Sequence, residues 1–359
     1  MTPLELLKKY WGHSSFRPAQ EEIIESVLNG NDVLAILPTG GGKSVCFQIP
    51  ALANPGTCLV VSPLIALMED QVQRLQSMQI PSAMIAAGMS AKDLDQVLDQ
   101  CEQGRLKFLY VSPERLENRV FQESLVALPI RMLAVDEAHC ISQWGYDFRP
   151  SYLQIAKIKS FFPKIPVVAL TASATQLVQE DILEKLAIPQ AKLFMTSFER
   201  KNLFYGAEKC DHKTHKISTL FSSNPGSGIV YCRTRKRTVE INEALSLQGI
   251  TSDYYHAGLD QETRKSKQKA WIDGQIRVMV CTNAFGMGID KADVRMVVHA
   301  DMPDCLENYY QEAGRAGRDG NPSQAHLLFS TSEIEQLKTL PDVKFPSLTT
   351  IRKVYQALA

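Results

Sequence analysis

The sequence has no C-x-x-C pair and no cysteine–histidine cluster at zinc-ligand spacing; its eight cysteines (Cys46, Cys58, Cys101, Cys140, Cys210, Cys232, Cys281 and Cys305) are scattered. That excludes a zinc-ribbon scaffold and reads as reduced core thiols, so no zinc site is expected in this chain. No run of about 18 apolar residues occurs, and Met1 to Gly12 holds two lysines but no apolar stretch long enough for a signal peptide. The expectation is a cytoplasmic, nucleoid-associated protein without a membrane partner. A charge excess of either sign is missing too, with Lys+Arg and Asp+Glu at 39 each. Any polyanion must therefore be held by a local groove and not by a globally cationic body. Low-complexity tracts and short repeats are absent, and 45% hydrophobic with 22% charged residues is ordinary globular composition.

What is present is an alternation of short β-branched runs with longer helical patterns, the signature of parallel sheets built from strand–helix–strand units. One set reads Val33 to Leu37, Thr57 to Val61, Phe108 to Val111, Met132 to Val135 and Val167 to Leu170. A second reads Gly228 to Tyr231, Ser252 to His256, Val278 to Cys281, Met296 to His299 and His326 to Phe329. Between them lies a polar segment, Glu199 to Lys216. At 359 residues the chain suits two lobes, since domains typically hold about 100 to 200 residues. The expected division is 1–199, 200–331, and a linker with a helix over 332–359. In that helix Ser347 reads as an N-cap, followed by Leu348, Ile351, Val354 and Leu358 at helical spacing. It is either the start of a further domain or a terminal helix packed on the second lobe.

The run Val33 to Leu37 leads into Pro38-Thr39-Gly40-Gly41-Gly42-Lys43-Ser44 and then into helix-compatible sequence. Glycines let backbone N–H groups turn inward around phosphate oxygens, Lys43 reaches the β/γ-phosphates, and Ser44 ligates Mg²⁺. Leu37 stands where the general G-x-x-x-x-G-K-S pattern has its first glycine. A bare glycine-rich turn beside a lysine would be commonplace, but Asp136-Glu137-Ala138-His139 follows the apolar strand Met132 to Val135. There Asp136 suits the Mg²⁺ water shell and Glu137 the attacking water. In Gln311-Glu312-Ala313-Gly314-Arg315-Ala316-Gly317-Arg318, a helical turn would put Arg315, Arg318 and Gln311 on one face. Such a pair is either a solvated basic face or a source of transition-state charge. In the latter case it acts from the second lobe, across a nucleotide cleft between the two.

These residues resemble the RecQ helicases of superfamily two, collinearly from Phe16 to about Phe329. The strings that carry the resemblance are Phe16 to Gln20, Pro38 to Ser44, Ser62-Pro63-Leu64, Asp136 to His139, Thr171 to Thr175, Ala284 to Asp290 and Gln311 to Gly320. The resemblance implies an α/β fold of two tandem RecA-like lobes, each a parallel sheet flanked by helices. It also implies ATP with Mg²⁺, and a monomer that works on single-stranded DNA and 3′-tailed duplex with 3′ to 5′ polarity. Gln20 is implied to read the adenine edge, which its amide can do bidentately, with Arg17 nearby. His13 stands where many relatives stack an aromatic ring on the base.

The stretch His139 to Pro150 resembles the aromatic-rich loop that couples strand binding to hydrolysis. Trp144, Tyr146 and Phe148 offer faces for base stacking and Arg149 a phosphate or cation–π contact. Three aromatics in five residues are often core, but Gly145, Asp147 and Pro150 favour a turn. Ser62 and Pro63, Ser112 to Arg115 and the Thr282-Asn283 turn resemble loops that grip the sugar-phosphate backbone. The run Arg233 to Arg237 is either another such contact or a solvated helix start. Ser173 stands where threonine is more usual. Full-length relatives often carry a cysteine-rich zinc module and a winged helix after the second lobe, and neither is expected within residues 332–359. The leading reading is a DNA helicase of repair and recombination, and its rivals are a DNA-stimulated ATPase that translocates without unwinding, a nucleic-acid binding scaffold with a silent nucleotide site, and a motor that works on RNA.

Overall fold

The computed structural model of the chain describes residues 1–86, 88–145, 147–286, 291–344 and 346–358. Tyr146 and the Met287 to Asp290 part of the string beginning at Ala284 lie outside the described residues. The chain divides into two compact units, Met1–Glu199 and Arg200–Ala359.

In the first unit the described strands are β1 (Val33–Ile36), β2 (Thr57–Val61), β3 (Ser82–Ile85), β4 (Phe108–Val111), β5 (Ile130–Val135), β6 (Val167–Thr171) and β7 (Lys192–Met195). They form one sheet in the order β3-β4-β2-β5-β6-β1-β7, with every described pairing parallel. Parallel strands need helical crossovers, which cover both faces, so the strands are continuous apolar runs. β1 shows this: Leu34 and Ile36 enter the core on one face, Val33 and Ala35 that on the other. The second unit repeats the plan with β8 (Leu203–Lys209), β9 (Ser227–Tyr231), β10 (Ser252–Tyr255), β11 (Val278–Cys281), β12 (Val294–His299) and β13 (Ser323–Phe329). Their order is β10-β11-β9-β12-β13-β8, again parallel in every described pairing.

Three strands, β3, β7 and β8, were not legible as apolar runs. All are edge strands, and β7 and β8 are largely exposed, so their side chains need not be uniformly apolar. β8 replaces part of the expected polar segment after Glu199, its seven residues registered against β13 from Ser323↔Leu203 to Phe329↔Lys209. The helix Leu348–Leu358 is capped by the Ser347 hydroxyl, which accepts from Thr350 N at 3.2 Å. Its Leu348, Ile351, Val354 and Tyr355 are exposed.

Trp271 anchors the second core. It is fully buried, donates from Nε1 to Gly228 O at 3.2 Å and meets the Phe285 ring edge-on at 5.3 Å. Trp271→Ala is expected to destabilise this unit by about 3–5 kcal/mol, the usual cost of truncating a buried tryptophan. Urea unfolding followed by circular dichroism measures it.

Candidate active site

In open parallel sheets ligands bind at the carboxyl ends of the strands, near a point where the strand order reverses. The chain leaves β1 for β2, and β6 and β5 stand between them. The motifs of the first unit collect at that edge: Pro38 to Ser44 after β1, Ser62 after β2, Asp136 after β5 and Ala172 after β6. Leu37 N donates to Thr171 O at 3.0 Å, and Asp136 N to Val61 O at 2.9 Å. Leu37 belongs to the same core face as Val33 and Ala35, which accounts for an apolar residue where the loop pattern has glycine.

The glycine loop then turns into the helix Val45–Ala53. Gly40 and Gly42 have φ of 78° and 74°, a region other residues rarely enter. A Cβ on Gly41 would stand 2.8 Å from Pro38 O, and one on Gly42 2.5 Å from Gln20 Nε2. Gln20 is buried, its Nε2 donating to Gly41 O at 3.3 Å and Gly42 O at 3.0 Å while its Oε1 accepts from Arg17 N at 2.9 Å. Arg17 donates from Nη1 to Gly40 O. Both residues assigned to the base are thus engaged with the loop carbonyls, and adenine reading requires Gln20 to exchange these partners. His13 is exposed, whereas Thr39, Lys43 and Ser44 are partly buried.

At the acidic strand end, Glu137 holds a left-handed backbone with φ 46°, a strained position for a non-glycine residue. Its N–H donates to Asp136 Oδ1 at 3.0 Å. Burial and the Glu137 carboxylate push the Asp136 carboxyl up to about 7, against the pull of Lys43. A bound cation would favour its charged form, so a partly buried carboxylate at the same sheet edge as the glycine cradle and Ser44 fits a hard divalent metal such as Mg²⁺. His139 is buried and its pKa is lowered by desolvation, which keeps the ring neutral. Its Nδ1 lies 2.9 Å from Thr171 Oγ1 and 3.4 Å from Glu137 Oε2. Because the Thr171 hydroxyl donates to Ser173 O at 3.0 Å, the histidine is the donor to it. The acidic motif and the Thr171 to Thr175 segment are therefore directly bonded.

Downstream, Trp144 is 72% exposed, so it is not core, and Phe148 is partly buried. Two ties hold the loop. Arg149 donates from Nη1 to Pro63 O at 2.9 Å and pairs with Asp147 at 3.3 Å, which ties its guanidinium to the loop. Ser142 donates from Oγ to Asp181 Oδ2 at 2.6 Å and accepts from Trp144 N at 3.2 Å, with Lys185 holding Asp181 at 2.8 Å. Sequence reading passed over Ser142 and Asp181 because a serine and an aspartate far apart carry no local signal. Ser62 and Pro63 are buried, and the accessible part of that turn begins at Leu64.

In the second unit the helix Leu306–Ala313 ends before the arginines. Arg315 N and Ala316 N bond back to Glu312 O and Ala313 O at 3.2 and 3.1 Å. Gly317, with φ 63°, then turns the chain so that its N–H meets Val294 O at 2.8 Å. A left-handed glycine ends helices, so the expected helical turn through Arg318 is replaced by a tight non-helical one. Gln311 and Arg315 are buried and Arg318 partly so. Arg315 lies against Tyr231, whose hydroxyl donates to Phe285 O at 3.0 Å, and a Cβ on Gly286 would stand 3.2 Å from Arg315 Nη2. Beneath it His299 meets Glu312 at 2.9 Å and stacks on Tyr231 at 5.4 Å. Of the basic run, Arg233 pairs with Asp304, Arg237 with Asp301 at 3.2 Å and Lys236 with Glu240 at 3.7 Å.

A glycine loop and acidic strand end on one parallel sheet, followed by a second parallel sheet with a paired-arginine turn, define a two-lobed helicase core. Residues 17–181 match the DEAD/DEAH box helicase family and residues 212–320 the helicase conserved C-terminal domain. The chain belongs to the RecQ family of superfamily-two helicases. It is 40% identical over 364 residues to the probable ATP-dependent DNA helicase RecS of Bacillus subtilis, covering 100% of this chain and 73% of that protein. It is 41% identical over 340 residues to the ATP-dependent DNA helicase RecQ of Haemophilus influenzae, covering 94% of this chain and 55% of that one. The chain thus spans about half the length of several curated relatives it matches. The fold is shared with a crystal structure of the helicase MrfA bound to DNA, at TM-score 0.78 and 18% identity, over 97% of this chain and 50% of that one.

Proposed function

We propose that the chain is a DNA-stimulated ATPase that moves 3′ to 5′ on single-stranded DNA and separates duplex ahead of it, as a monomer at the cytoplasmic nucleoid. The observation that carries this reading is the bonded continuity of the first unit's strand ends. His139 joins the acidic motif to Thr171, and the chain running on from His139 is the loop that presents Trp144. A strand stacked on that loop can then alter the residues around the γ-phosphate.

In this reading the amides of Thr39 to Gly42 and the Lys43 ammonium bind the phosphates. Glu137 orients the attacking water and accepts its proton, while Arg315 and Arg318 neutralise charge on the transferring phosphoryl group and the Gln311 amide hydrogen-bonds beside them. Arg17, Gln20 and His13 surround the base. Ser44 and Asp136 would hold Mg²⁺, which supplies further neutralisation of the phosphate oxygens when bound. Trp144 and Phe148 stack bases, and the turn from Ser62 and Pro63 supports the backbone beside them. Domains follow the division 1–199, 200–331 and 332–359.

The deciding experiment is phosphate release with no polynucleotide, with single-stranded DNA and with RNA, followed by unwinding of a fork with a 3′ tail. Stimulation by DNA above RNA is expected; equal rates in all three would remove the motor reading. Trp144→Ala is expected to weaken single-stranded DNA affinity by about 1–3 kcal/mol, the worth of one base–aromatic stack. Fluorescence anisotropy of a labelled oligonucleotide checks this, with basal hydrolysis unchanged.

A further inference from the structure

Arg200 opens the second unit and stands far in sequence from every motif, yet its guanidinium sits on the turn that carries the paired arginines. Its Nη2 donates to Ala316 O at 3.0 Å and Gly317 O at 2.7 Å, and its Nη1 reaches Gly314 O at 3.5 Å. Asn202, 3.4 Å from Arg200 Nε, adds donors to Gly317 O at 2.8 Å and Asn321 O at 3.0 Å. Asn202 is itself fixed by the sheet, because Ser323 N donates to its carbonyl at 2.9 Å at the start of the β8–β13 ladder. Gly317 permits the approach: a Cβ there would stand 2.5 Å from Asn202 Nδ2.

The carbonyls so gathered belong to the turn that follows the helix Leu306–Ala313, where the chain has left the helical ladder and its C=O groups need donors from elsewhere. A planar guanidinium with five donors can bridge several of them at fixed angles, which an ammonium cannot. Arg315 lies between Gly314 and Ala316, so its backbone is held on both sides by this one group.

We propose that Arg200, supported by Asn202, is a positioning residue for ATP hydrolysis: it fixes the turn that aims Arg315 and Arg318 while touching neither nucleotide nor water. The proposal rests on the reading that those arginines act on the phosphoryl group. Misplacing a catalytic group by about 1 Å can cost about 10²-fold in rate, so Arg200→Ala is expected to lower kcat by up to about that factor with KM for ATP unchanged.

The test is steady-state phosphate release by Arg200→Ala and Arg200→Lys, alone and combined with Arg315→Ala, alongside thermal unfolding. Arg200→Lys keeps the charge and the aliphatic stem, so it remains informative if the alanine variant does not fold. Expected are a kcat loss in both, partial recovery of Arg200→Ala in added guanidinium chloride, and no further loss when Arg200 is replaced in the Arg315→Ala background. Parent kcat in the Arg200 variants, or an equal additional loss in the Arg315→Ala background, overturns the positioning role. Parent kcat in Arg315→Ala alone would instead sink the underlying reading of the arginines, and this proposal with it.

Discussion

Lys43→Ala is expected to lower the rate of ATP hydrolysis by on the order of 10²–10³, the cost of removing one preorganised charge donor from a water-poor site. Lys43 closes the glycine loop and is the cation that opposes the rise of the Asp136 carboxyl. In the proposed function its loss removes a charge from the phosphates, and it leaves the partly buried acid harder to ionise, so two effects act in the same direction. The fold should survive, because Lys43 precedes the helix Val45–Ala53 and its side chain is not in a core cluster. Phosphate release with saturating single-stranded DNA measures the rate, and the circular-dichroism melting curve reports the fold. A variant that turned over ATP like the parent would mean that phosphates bind elsewhere.

Much of the fold could be read directly from the residues, for a physical reason. Parallel strands covered on both faces are unbroken apolar runs, so β1, β2, β4, β5 and β6 stand out wherever the chain says Val33 to Ile36 or Phe108 to Val111. The edge strands β7 and β8 escape that rule because one side of each needs no apolar partner. Local motifs were legible for a similar reason: the glycine loop, the acid pair and the Trp144 turn each depend on neighbours in sequence.

The ties between them do not. Ser142 meets Asp181 across 39 residues, Arg149 meets Pro63 across 86, and Arg200 meets Gly314 across 114. A single serine, arginine or aspartate has no periodicity, and only the closed sheet brings such groups within bonding distance. The same holds for the arginines. Arg149, read from its neighbours as a phosphate or cation–π contact, also donates to Asp147 and Pro63 O, a tie that no local pattern announces. Arg315 and Arg318 looked like one helical face until Gly317 broke the helix.

Arg315→Ala is expected to cost more than any other single change, about 10³–10⁵ in kcat, the range for an arginine that neutralises a transferring phosphoryl group. Its surroundings explain why it is suited to that work. The residue is 7% exposed, and among the described residues its Nε has no hydrogen-bond partner. Leaving a buried charged donor unsatisfied is unfavourable, and a phosphate oxygen would complete it. An interaction made mainly with the transition state lowers kcat and kcat/KM together and leaves KM nearly still. Arg315→Ala should therefore bind ATP and single-stranded DNA like the parent but not hydrolyse. Arg315→Lys should recover little, since an ammonium cannot reproduce the planar fork held between Tyr231 and Gly286. Equilibrium binding of a fluorescent ATP analogue, beside single-turnover hydrolysis, separates the two quantities. A large rise in KM with kcat intact would make Arg315 a ground-state binding group, not a stabiliser of the reaction.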